Sequence, residues 1–152
     1  MVRQKKAITL VELILIVLFL GILAAIAVPR LNFPAITRKQ VETVARKIVT
    51  DLRRTRSLAI SDAAENTDGY ALNMTGSPYT GYEIVDLSDS SQVDSHTIDS
   101  DITCAGGASF RFGPLGNLLA ESDAQLVVSA EEKTFTIKIT SATGMVKCTE
   151  TE

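Results

Sequence analysis

Residues 8–28 read ITLVELILIVLFLGILAAIAV, and only Thr9 and Glu12 in that stretch are polar. Such a run has few ways to satisfy itself. As a helix rising about 1.5 Å per residue it would extend roughly 31 Å, the thickness of a bilayer core. A helix apolar on every side needs a cover of lipid or protein. A membrane-inserted helix is the reading the length favours. A buried core helix is the second reading, although such helices are usually shorter and two-sided. A cleaved secretory signal is the third, with Ala25-Ile26-Ala27 as an A-x-A site; the run is longer than an ordinary signal core and carries a carboxylate near its start.

Charge is divided along the chain. Residues 1–56 hold eleven Lys/Arg against three acids, a net of +8, while residues 57–152 hold fifteen acids against four bases, a net of −11. The overall −3 hides this split, which suggests two regions facing different surroundings. The acidic second region argues against a generic nucleic-acid binder. The first seven residues, MVRQKKA, carry three positive charges. The positive-inside rule puts that end in the cytoplasm and the residues after 28 beyond the membrane.

Glu12 is the oddest residue of the run. A carboxylate in an apolar core costs several kcal/mol unless paired or protonated. Either it reaches the nearby interface or takes up a proton, or it awaits a positive partner. An α-amino group freed by a cut before Ile8 would be such a partner, supplied by a neighbouring copy.

Lys5-Lys6-Ala7 followed by Ile8-Thr9-Leu10-Val11-Glu12 and a long apolar helix resembles the prepilin signature of type IV pilins and type II secretion pseudopilins. The resemblance implies a leader of residues 1–7 that a prepilin peptidase removes between Ala7 and Ile8, followed by methylation of Ile8. It implies that Glu12 pairs with a neighbour's amino terminus during filament assembly. Pro29 matches the proline that ends the family's apolar segment. Ala7 departs from the family's usual Gly and is the smallest substitute for it. The implied partners are the peptidase/methylase, other pilins or pseudopilins in a helical filament, an inner-membrane assembly platform and membrane lipid. The implied location is a single-pass inner-membrane protein with a periplasmic head, later a filament.

Residues 29–64 read as a stem. Pro29 and Pro34 would kink or loosen the helix. Val41, Val44, Ala45, Ile48, Leu52, Thr55, Leu58 and Ala59 then recur at helical spacing. A helix from 8 to about 64 would be roughly 85 Å long. Arg53, Arg54 and Arg56 form either a solvated face, a surface for acidic groups of neighbouring copies, or an anion site.

From residue 65 the chain reads as a β-rich head. Alternation predicts strands over 70–74, 82–87, 109–112, 125–130, 134–140 and 144–148, with a weak one over 97–103 and a polar loop over 88–95. The expected fold class is therefore α+β: a long N-terminal α-helix, membrane-spanning then amphipathic, packed on a small antiparallel sheet or sandwich. The resemblance makes this a pilin fold. Arg53–Ile60 and Phe110–Gly116 are also similar to segments of H-class pseudopilins and FimT-like minor pilins. That branch opens an alternative, a DNA-binding minor pilin of a competence system, which the acidic head and the acid-containing tail disfavour.

Cys104 and Cys148 are the only cysteines. Outside the cytoplasm an even pair suggests a disulfide, and two buried thiols are the other reading. His96 lies among Asp94, Asp99 and Asp101, as a weak metal site or, better, a solvated acidic loop without EF-hand spacing. No nucleophile elbow, P-loop, dinucleotide fingerprint or zinc motif is present. The expectation is a structural subunit, not an enzyme, with no cofactor or metal.

Overall fold

Pro29 and Pro34 stand between the apolar run and the amphipathic segment. Each lacks a backbone N–H, which a helix interior needs and a first turn does not. In the computed structural model the chain forms two helices, α1 (Leu10–Ala27, 18 residues) and α2 (Phe33–Ser61, 29 residues). The structure describes residues 9–27, 33–131 and 133–151, with side chains described for 9–25, 39–131 and 133–151. The chain divides into two units, Met1–Phe33 and Pro34–Glu152.

This corrects the expected fold class: among the described residues the helical part is two separate elements, α1 and α2, and not the one long N-terminal helix expected over 8–64. It also corrects the expected location. Among the described residues no helix is long and apolar enough to cross a membrane. α1 is apolar, but its 18 residues rise about 27 Å, less than the roughly 20 residues a spanning helix needs. α2 is long enough but carries charge along both flanks. The expectation of a single-pass inner-membrane protein falls on these findings.

The second unit is built on α2 and eight strands: β1 (Tyr70–Thr75), β2 (Gly81–Asp86), β3 (Gln92–Thr97), β4 (Thr103–Gly106), β5 (Ser109–Phe112), β6 (Gln125–Ala130), β7 (Lys133–Thr140) and β8 (Met145–Thr151). They form two four-stranded sheets of order β3-β2-β1-β5 and β4-β6-β7-β8, all pairings antiparallel. β3 takes up the second half of the segment expected to be a polar loop, and β4 begins where the weak strand expected over 97–103 ends. Both are edge strands, with mostly exposed side chains. Main-chain pairing to one neighbour holds them, and that leaves little hydrophobic alternation to read.

Val41, Ala45, Ile48, Leu52, Thr55 and Ala59 form the buried stripe of α2, recurring every three or four residues. Val44 and Leu58 pack partly buried beside it. The stripe meets Leu72, Phe110 and Phe112 from one sheet and Leu126, Val128 and Ile137 from the other in one core. Strand alternation supplies these contacts: Phe135, Ile137 and Ile139 of β7 point inward while Lys138 and Thr140 are exposed.

Candidate functional site

Ala7, Ile8 and Pro29 lie outside the described residues. Pro34 is the second residue of α2, in the first turn, where a missing N–H is no loss. Glu12 lies in the first turn of α1, where the helix dipole favours a carboxylate. Its backbone N–H donates to the Thr9 hydroxyl at 3.3 Å, so Thr9 caps the helix. Thr9 and Glu12 thus have the spacing of a capping box, a signal that the apolar run overshadows in the sequence. The side chains around Glu12 are exposed on every side of α1, from Leu10 at 75% to Ile16 at 49%.

The cysteines do not pair. Cys104 lies on β4 and Cys148 on β8, the opposite edges of one sheet, with β6 and β7 between them. Three strand spacings of about 4.8 Å put them roughly 14 Å apart, twice what a disulfide spans. Both are free thiols. The expected disulfide is therefore corrected: each residue sits on the inner face of its strand, and the sheet fixes the gap.

The two flanks of α2 carry the chemistry of the second unit. On the flank beside β3, the Tyr82 hydroxyl donates to Oδ2 of buried Asp51 at 2.6 Å. His96 Nε2 stands 3.5 Å from the same oxygen and 3.7 Å from Asp94 Oδ2. Its Nδ1 lies 3.2 Å from Lys47 Nζ, and its ring meets Tyr82 edge-on at 5.3 Å. Arg54 closes the group on Asp94 at 2.5 Å. Burial, then the hydrogen bond to Asp51, pushes the Tyr82 hydroxyl far above the usual tyrosine range. The Arg54 guanidinium holds the Asp94 carboxyl below the usual carboxylate range. His96 thus belongs to a packed polar network and not to a free acidic loop, and among the described residues no cluster of metal-ligating side chains occurs. Asp51 is the sequence signal for this network, an acid at the margin of an apolar helical stripe.

On the opposite flank, beside β8, Arg53 donates to the Val146 carbonyl at 3.3 Å. Arg56 Nε donates to the carbonyls of Gly116 and Thr143 at 3.0 and 3.1 Å. Gly116 and Gly144 let the two loops pass under Arg56: both have positive φ, and a Cβ on Gly144 would collide with the Gly116 carbonyl oxygen. Arg53 and Arg56 line an open depression of about 780 Å³ with Thr140, Thr143, Met145 and Val146. Carbonyl partners fix these guanidiniums without cancelling their charge. The arginine cluster is therefore divided by partner: Arg54 pairs with Asp94, while exposed Arg53 and half-buried Arg56 bond to backbone carbonyls.

No family model matches the chain, and no curated protein or solved structure matches it.

Proposed function

We propose that the chain is a structural, non-catalytic subunit of a pilin-like filament, of the type IV pilus or type II secretion pseudopilus kind, and that it assembles through α1. The observation that carries this reading is the uniform exposure of an apolar helix with one acid in its first turn. In water such a helix is covered by partners of its own kind. Helices of neighbouring copies bundle side by side, and Glu12 pairs with the amino terminus of an adjacent copy. The sequence around Ala7 and Ile8 supports a peptidase cut and methylation that create this amino terminus.

The test is coexpression of the full chain with a prepilin peptidase, followed by mass analysis of the N-terminus and sedimentation of the product. The expected product begins at methylated Ile8 and sediments as assemblies, and Glu12→Leu leaves the second unit folded but removes the chain from them. An N-terminus at Met1 or Val28, or normal assembly of Glu12→Leu, overturns the reading.

A further inference from the structure

Residues 57–152 hold fifteen acids against four bases, yet one surface of the second unit has no acid in its lining. The depression of about 780 Å³ beside Arg53 and Arg56 adjoins a second of about 480 Å³, which shares Arg53 and Val146 with it and adds Arg46, Thr50 and Lys147. Neither Asp nor Glu lines either one. Arg46 is neutralised by Glu42 at 2.8 Å. Among the described residues no carboxylate lies within salt-bridge distance of Arg53, Arg56 or Lys147.

Arg56 uses Nε on the carbonyls of Gly116 and Thr143, and Arg53 uses one terminal nitrogen on the Val146 carbonyl. Among the described residues both terminal nitrogens of Arg56, and the Nε and second terminal nitrogen of Arg53, have no partner. Arg56 is half-buried and held by two loops, so its donors are positioned before any ligand arrives. Arg53 stands one turn away on the same side of α2. The Thr143 hydroxyl in the wall accepts from the Met145 N–H at 3.4 Å and keeps its own proton to donate. One guanidinium fork is enough to match a planar carboxylate. Two forks and a hydroxyl match the three or four oxygens of a tetrahedral oxyanion.

We propose that the Arg53–Arg56 depression binds a phosphate-class oxyanion, as the free ion or as the headgroup of an anionic lipid. Arg56 is the anchored donor, Arg53 the second fork and the Thr143 hydroxyl the neutral donor. Arg54, between the two arginines in sequence, is engaged by Asp94 and takes no part. The site lies wholly within the second unit, so it depends neither on α1 nor on the filament reading.

The test is calorimetric titration of the full chain, held in a nonionic detergent, with inorganic phosphate and with glycerophosphoglycerol, the tail-free headgroup of an anionic lipid. The expected result is saturable binding of at least one probe with a Kd of about 1 mM or tighter. Tighter binding of phosphate assigns the site to the free ion, and tighter binding of the headgroup assigns it to a lipid. Arg53→Gln should weaken binding about tenfold, and Arg53→Lys, which keeps the charge but not the fork, should weaken it less. Arg54→Gln removes the same charge from the same helical turn and should leave binding unchanged within about twofold. Absence of saturation with both probes overturns the site. Equal losses from Arg53→Gln and Arg54→Gln mark a diffuse field and also overturn it. Retardation of duplex DNA without binding of either probe gives the surface to a polyanion, against the proposal.

Discussion

The Tyr82 hydroxyl and the Asp51 carboxylate meet at 2.6 Å across the boundary between β2 and α2, both residues being less than a tenth exposed. This bond joins the helix to the first sheet from inside the core. Every buried side-chain polar atom among the described residues has a partner, so little spare hydrogen-bonding capacity exists to replace it.

Tyr82→Phe should therefore lower stability by about 1–3 kcal/mol, because it leaves a buried carboxylate short of a donor. Urea denaturation checks this, with Arg46→Ala as control. Among the described residues Arg46 forms its ion pair with Glu42, one turn away on an exposed surface, and its loss should change stability by less than about 0.5 kcal/mol.

Alkaline pH should weaken the fold through its tyrosines. The hydrogen bond to Asp62, then burial, raises Tyr70 from its ordinary 10.0 to about 12, and Tyr82 is raised further. Above pH 10 the unfolded chain has released protons that the folded chain still holds, so the unfolded state gains. The stabilisation is complete below pH 10 and is lost as pH rises through about 12 for Tyr70. Denaturation midpoints measured from pH 8 to 11.5 should fall above pH 10, and Tyr70→Phe should flatten part of that fall.

Both cysteines should be free and unequal. Burial pushes the Cys104 thiol up to about 11, while Cys148 is half-buried and raised less. Thiolate is the reactive form, so Cys148 should alkylate first in the native chain, and Cys104 should follow only on unfolding. Mass spectrometry after alkylation reads this directly. Thiol reductants should leave the melting temperature unchanged.

Gly144→Ala should destabilise by about 1–3 kcal/mol or more, since it places a Cβ at φ +63 against the Gly116 carbonyl oxygen. The damage should centre on Arg56, which bonds the carbonyls of Gly116 and Thr143. Hydrogen exchange should show loosening around those two residues before the first sheet is affected.

The buried face of α2 was legible because Val41, Ala45, Ile48, Leu52, Thr55 and Ala59 repeat at the helical period, and β7 because Phe135, Ile137 and Ile139 alternate. β3 was not legible, because an edge strand with exposed side chains leaves its signal in main-chain pairing, which composition does not record. His96 was misplaced for the same reason, since Asp51 and Asp94 reach it only once β3 lies along α2.

The amino-acid sequence alone determined the local matters: an apolar α1 with a single acid, an amphipathic α2, and strands whose inner residues alternate. Such properties depend on residues a few positions apart. Tertiary structure decided that, among the described residues, the apolar and amphipathic segments are two helical elements, and that Cys104 and Cys148 sit on opposite edges of a sheet. It also decided that Arg54 meets the Asp94 carboxylate while Arg53 and Arg56 meet backbone carbonyls. Neighbouring positions on a helix point about 100° apart, so adjacent arginines meet different strands, and only the packing of both sheets on α2 says which.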